Sequence, residues 1–216
     1  MQATKRQSIQ LSNSNITYFE LGERGTGKDI IICHGALFNA DAMKDYGMEW
    51  ADNNHVIVMD LPSHYTRDNT DVRSFAELTE VVSEFIEKLS MEGIISKKPV
   101  FHGWSLGGNV ALSLAVNHSH LLEAIVMICS DYHWDCELGE FPNEEVAQGK
   151  VAHLLNMVKS LHIAPERVQA LIEDMPVTLA NAYSCNNDST IATEFDFTIN
   201  LKDISIPVAI VCGEID

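Results

Sequence analysis

A chain of 216 residues with 46% hydrophobic content can form one domain around its own apolar core, and none of its apolar runs approaches the roughly 18 residues that a membrane span needs. The formal charge of −17, from 31 acidic against 14 basic residues, disfavours nucleic acid and anionic membrane surfaces as partners. Residues 1–10 are polar and lack the apolar stretch of a signal peptide, so a cytoplasmic protein with reduced cysteines is expected. Of these, Cys33, Cys129 and Cys212 lie in apolar runs and read as small buried hydrophobes, while Cys136 and Cys185 do not.

Strand and helix patterns alternate along most of the chain. Residues 8–11 and 16–21 alternate apolar and polar side chains, which predicts two antiparallel strands at a sheet edge. Turn glycines follow at 22, 25 and 27. Asp29 to Cys33 is a short, continuously apolar run, the pattern of a strand covered on both faces. A helix is expected over about 41–51 and a second buried strand over His55 to Met59, ending at Asp60. Ser74 and Glu77 form an S-x-x-E capping pattern that opens a long helix with Phe75, Leu78, Val82, Phe85, Ile86 and Leu89 along one stripe. Pro99 to His102 reads as a strand, Leu106 to Val116 as a helix, and Leu122 to Cys129 as the next buried strand. No buried-strand run occurs between 130 and 203, where helices are expected over about 144–161, 165–175 and 177–182. Ile206 to Cys212 resumes the strands. This order predicts an α/β chain with a mostly parallel, doubly wound sheet, divided into a first part of the core at 1–130, a helical insertion at 131–203 and a core strand at 204–216.

In such sheets ligands gather at the carboxyl ends of the strands, which singles out the residues after Cys33, Met59, His102 and Cys212. After His102 stands Gly103-Trp104-Ser105-Leu106-Gly107-Gly108. G-x-S-x-G alone is a weak signal and can be an inert glycine-rich turn. Between a buried strand and a helix it is the setting of a strained turn that lifts a serine hydroxyl clear of the sheet. The same turn aims the first N–H groups of the helix at a developing negative charge. Ser105 is therefore the candidate nucleophile. An acyl-transfer site needs a second oxyanion donor besides the N–H of Leu106. His34-Gly35-Ala36-Leu37, after Cys33, offers that of Ala36, with Leu37 as the alternative. His34 itself is expected to order this loop rather than to act as a base.

After Cys212 stands Gly213-Glu214-Ile215-Asp216. Asp216 is the candidate acid that orients an imidazole, with Asp131 and Glu214 as rivals and a solvated terminal residue as the plainer reading. The serine needs a histidine within hydrogen-bond reach, and each one present has a simpler role. His55 starts a strand, His64 lies on the loop after Asp60, and His102 packs beneath the turn. His118 and His120 end a helix, and His133, His153 and His162 belong to the insertion. Leu37, Phe38 and Trp104 are candidate walls of an apolar acyl pocket, each equally readable as core. Neither a metal nor a cofactor is implied.

Taken together, ITYFELG, IIICHGALF, VIVMDLP, FHGWSLGGNVALSLA and IPVAIVCGEID resemble the α/β-hydrolase superfamily, in particular its cap-bearing serine esterases and related C–C hydrolases, enol-lactonases and cofactor-free haloperoxidases. GWSLGG is also similar to the turn of the carrier-protein methyl esterases of biotin synthesis. The resemblance implies an eight-stranded sheet, a triad in the chain order serine, acid, histidine, and a helical cap that shapes the acyl pocket. It implies a serine hydrolase of small carboxylic esters or thioesters that works through an acyl-enzyme. C–C bond or lactone hydrolysis, and ligand binding by a non-catalytic member, are the alternatives. There are two departures. Asp60-Leu-Pro-Ser-His-Tyr-Thr-Arg stands where the family has D-x-P-G-x-G-x-S. The last strand, last helix and catalytic histidine are not reached by Asp216, so the 216 residues are expected to be part of a longer chain and the strand ending at Cys212 to form an open apolar edge.

Overall fold

Strands that are apolar on both faces must be covered on both, and the helices of the computed structural model meet that demand for the central strands. It describes residues 5–65, 72–132, 139–160, 165–192, 195–198 and 200–213. In chain order these form β1 (Gln7–Gln10), β2 (Asn15–Leu21), β3 (Asp29–Cys33), α1 (Lys44–Ala51), β4 (His55–Met59), α2 (Phe75–Met91), β5 (Val100–Trp104), α3 (Leu106–Asn117), β6 (Ala124–Ile128), α4 (Glu144–Ser160), α5 (Pro165–Thr178), α6 (Ala182–Ala192) and β7 (Val208–Val211). One seven-stranded sheet runs in the order β1-β2-β4-β3-β5-β6-β7. β1, β2 and β4 pair antiparallel, and every other neighbour pairs parallel.

The two-residue period of the strands sorts the core into two layers. Ile31, Ile57, Phe101 and Ile125 join the apolar stripe of α2 and the buried face of α3. Ile30, Ile32, Val56 and Val58 face the other way, toward Met43 and the partly buried side chains of α1. The α2 stripe is the one read from the sequence: Phe75, Leu78, Val82, Phe85, Ile86 and Leu89 are all buried. Each such side chain contributes roughly 1.5–3 kcal/mol of gross burial. Ser74 caps the helix by accepting the Glu77 N–H at 3.1 Å. The Glu77 carboxylate accepts the N–H of Arg73 at 2.7 Å, one residue earlier than a reciprocal capping box would have it.

Three features depart from the sequence-based expectations. The segment 177–182 is not a helix of its own. Val177 and Thr178 complete α5, which continues past Pro176 because Leu179 N–H reaches Met175 O at 2.9 Å. The third helix is α6, whose Asn181 side chain caps Ser184 N–H at 3.1 Å; its polar run Asn186-Asn-Asp-Ser-Thr carries no apolar stripe to announce it. The cysteines sort differently too. Cys33 and Cys185 are buried while Cys129 and Cys212 are exposed, because Cys129 leaves β6 at a φ of +47° and Cys212 follows a strand whose residues are all exposed. β7 thus presents Val208, Ile210 and Val211 to solvent. Among the described residues no helix is long and apolar enough to cross a membrane.

Phe85 is fully buried and meets Tyr18 edge-on at 5.8 Å. Phe85→Ala is expected to cost about 3–5 kcal/mol, measured by chemical denaturation. Met91→Ala, on the exposed end of the same helix, is expected to stay within about 0.5 kcal/mol of the parent.

Candidate active site

Sheet register brings the candidate residues together. β3 and β5 are parallel neighbours with Cys33 opposite Gly103, so His34-Gly35-Ala36 and Trp104-Ser105-Leu106 leave the same sheet edge side by side. Ser105 stands between β5 and α3 at φ 50° and ψ −117°, a region that residues with a Cβ seldom occupy. Hydrogen bonds on both of its peptide groups hold it there. Its N–H donates to Ile128 O at 2.9 Å, and its carbonyl accepts Gly108 N–H at 2.8 Å and Asn109 N–H at 3.1 Å. The Ser130 hydroxyl adds a bond to Ser105 O at 2.8 Å.

Two glycines let the two loops touch. A Cβ on Gly107 would lie 2.6 Å from the carbonyl oxygens of both Cys33 and His34, and one on Gly35 would lie 3.1 Å from Ser105 Cβ. The first turn of α3 therefore rests directly on the loop after β3. Ala36 and Leu106 present N–H groups that have no hydrogen-bond acceptor among the described residues. Leu37, the alternative donor, does not: its N–H donates to the Asp188 carboxylate at 2.7 Å.

His34 is a loop-ordering residue. Its Nε2 accepts Leu61 N–H at 2.9 Å, which leaves Nδ1 to donate to Gly35 O at 2.8 Å. Both nitrogens are occupied by a neutral ring, and burial holds its pKa down at about 3. A trans peptide sets its N–H opposite its C=O, so the grip on Gly35 O turns the Ala36 N–H away from the ring. His64 stacks on His34 with ring centroids 4.8 Å apart and is bonded in the opposite sense. Nε2 faces both Asp188 oxygens at 3.1 Å and Nδ1 faces Pro62 O at 2.9 Å. Both neighbours are acceptors, so this ring donates twice, as an imidazolium does. The pair looks like the acid and base of a triad, yet His64 has no lone pair to offer Ser105.

The other described histidines are also committed elsewhere. His55 bonds Asp29 at 2.7 Å, His102 bonds Tyr46 at 3.0 Å and is held neutral by burial, near a pKa of 4, and His118 bonds Glu80 at 3.0 Å. His120 and His153 are exposed. His133, His162, Glu214 and Asp216 lie outside the described residues. Asp131 is exposed, with its carboxylate on the N–H of Tyr132 at 2.8 Å. Trp104 is half-buried and stacks on Phe38 at 5.3 Å. Leu37 packs into a separate cluster with Phe141, Val151 and Met175. A cavity of about 590 Å³ is lined by Lys97, Pro99 and His120, at the opposite end of the strands from Ser105. Among the described residues no group of three His, Cys, Asp or Glu side chains could hold a metal ion.

The sequence offered no sign of Asp188. It lies in a polar helix, and its partners are 151 and 124 residues away. Only complete burial of a carboxylate marks it. The tightness around Gly107 yields a direct prediction. Gly107→Ala forces backbone against backbone and is expected to lower stability by about 1–3 kcal/mol or more, read from the denaturation midpoint.

Comparison with known proteins follows the same lines. Residues 30–216 match the alpha/beta hydrolase family. The pimeloyl-[acyl-carrier protein] methyl ester esterase of Vibrio cholerae is 23% identical over 210 residues, covering 89% of this chain and 77% of that protein. A monoacylglycerol lipase of Xenopus laevis is 27% identical over 121 residues, covering 54% of this chain and 34% of the lipase. Among solved structures, Est816, described as an N-acyl homoserine lactone degrading enzyme, superposes with a TM-score of 0.75 at 22% identity, covering 97% of this chain and 82% of that one. The enol-lactonase of Burkholderia xenovorans LB400 superposes with a TM-score of 0.70 at 16% identity, covering 96% and 81%. At these identities the structural likeness speaks to the fold. With the matched family spanning all but the first two strands, the chain belongs to the alpha/beta hydrolase family.

Proposed function

We propose that this chain is a serine hydrolase that cleaves a small carboxylic ester or thioester through an acyl-enzyme. The observation that carries the reading is the positive-φ Ser105 between β5 and α3, near the N–H groups of Ala36 and Leu106, which have no acceptor among the described residues. Ser105 Oγ attacks the acyl carbon, and the two N–H groups receive the negative charge that develops on the carbonyl oxygen. Each such donor is worth about 2.7–4 kcal/mol of barrier in comparable sites. The ester or thioester bond then breaks, the alcohol or thiol leaves with the proton taken from the serine, and water hydrolyses the acyl-enzyme to release the acid and free Ser105. The reading requires a histidine from outside the described residues to take the serine proton, and it assigns Asp216 to orient that ring. Trp104 and Phe38, whose rings meet at 5.3 Å, flank the acyl group, while Leu37 packs into the neighbouring cluster with Phe141, Val151 and Met175.

The names of relatives agree with this class of bond: a methyl ester esterase, a lipase and a lactone-degrading enzyme all act on carboxylic esters, a lactone being a cyclic one. A fluorophosphonate probe tests the proposal. The protein is expected to label once, and Ser105→Ala to abolish labelling while lowering p-nitrophenyl ester hydrolysis by about 10³-fold or more. Absence of labelling in the folded wild-type protein would favour a non-catalytic, ligand-binding member instead.

A further inference from the structure

Two strained backbone positions stand on the loops after β3 and β4, at the same end of the sheet as Ser105, and both are held by the helical segment between β6 and β7. Leu37, at φ +70°, gives its N–H to Asp188 and its carbonyl to the N–H of Ala180 at 2.8 Å. Ser63, at φ +64°, gives its carbonyl to Asn181 Nδ2 at 2.6 Å and to the Ser184 hydroxyl at 2.7 Å. A residue with a Cβ is sterically disfavoured at positive φ, so neither conformation is self-sustaining. Asn39 extends the contact, with its N–H on Thr178 O and its side chain on Val177 O, both at 2.8 Å.

We infer that Asp188 is a positioning residue for the oxyanion donor of Ala36, and that its pairing with His64 fastens α6 as a cap onto the catalytic loops. The inference rests on the reading of Ser105 as the nucleophile. Ala36 lies between two held peptides, the first of which also accepts Phe38 N–H on its Gly35 carbonyl at 3.4 Å. His34 grips the carbonyl of the Gly35–Ala36 peptide, and Asp188 grips the N–H of the Ala36–Leu37 peptide. If the second grip is lost, only the bond from Ala180 N–H still holds Leu37 in its strained conformation, and relaxation there changes the backbone angles of Ala36 and with them the aim of its N–H. A lone buried carboxylate next to an oxyanion site would also repel the charge formed there. The imidazolium of His64 cancels that charge and satisfies both Asp188 oxygens.

The pair also gives the clamp a pH dependence with a defined sign. Burial alone would lower the His64 pKa, but the charge and hydrogen bond of Asp188 outweigh it and the net shift is upward. Stabilisation is therefore complete below the ordinary histidine value of about 6.5 and is lost as pH rises through the higher folded value. The other groups facing the pair are Asp60 at the end of β4, His34 and Cys33 from β3 and its loop, and Cys185 from α6. Arg6 is bound to Asp60. Burial pushes the Cys185 thiol up to about 12 and the Cys33 thiol higher still, so neither titrates in the same window.

Probe labelling and ester turnover in four proteins test this. Asp188→Ala is expected to lower kcat and the fluorophosphonate labelling rate about 10–100-fold, with KM changed less than about threefold. Asp188→Asn keeps an acceptor for Leu37 and a donor for neutral His64. It is expected to recover most of kcat at pH 7 and to lack the alkaline fall in melting temperature expected of the wild type. Asn186→Ala, which breaks the contact between α6 and Phe141 without touching either loop, is expected to lower stability and spare kcat. Should Asp188→Ala fail to fold, Asp188→Asn decides alone: kcat at least 10-fold below wild type at pH 7 overturns the assignment. Folded Asp188→Ala with wild-type kcat also overturns it, while leaving Ser105 as the nucleophile. Wild-type protein that does not label overturns both readings at once.

Discussion

The site depends on one backbone constraint: Ser105 must stand at φ 50° at the end of a buried strand. Sheet neighbours enforce it, since Ile128 O accepts the Ser105 N–H and Ser130 braces the Ser105 carbonyl. The same constraint explains the glycines. With the chain turning this sharply, α3 begins against the loop after β3, and Gly107 passes the Cys33 and His34 carbonyls with no room for a Cβ. Close approach sets the loop of Ala36 against the start of α3, so the turn at Ser105 and the two N–H groups that have no acceptor among the described residues stand on one end of the sheet.

Behind that turn, two neighbouring histidines are given different charge states by their hydrogen-bond partners. His34 meets one donor and one acceptor and stays neutral; His64 meets acceptors on both sides and carries a proton. Unequal burial does not distinguish them, because both are buried. The distinction comes from Asp188, which α6 places against His64 and not against His34. Such a fixed charge inside a strongly acidic protein is retained because every atom of the pair is satisfied.

Much of this was legible in the sequence where the requirement is local. A turn that needs missing side chains writes itself as Gly103-x-Ser-x-Gly-Gly, and a strand covered on both faces writes itself as Ile-Ile-Ile-Cys. The acidic hub at Asp60 was visible only as the end of β4, although it accepts Ala40 N–H at 2.7 Å and the Thr17 hydroxyl at 2.5 Å. Ser63 in place of the family glycine raised a question about its loop, and the answer lies 118 residues away at Asn181. Partners that distant leave no periodicity. α6 was missed for the same reason: its burial rests on polar bonds to the loops after β3 and β4 rather than on an apolar stripe.

A structure of the protein after reaction with a fluorophosphonate tests the central claim most directly. The account predicts phosphorus bonded to Ser105 Oγ, with the phosphoryl oxygen about 2.7–3.1 Å from the backbone nitrogens of both Ala36 and Leu106. An adduct on another residue, or a phosphoryl oxygen turned away from both nitrogens, would contradict it.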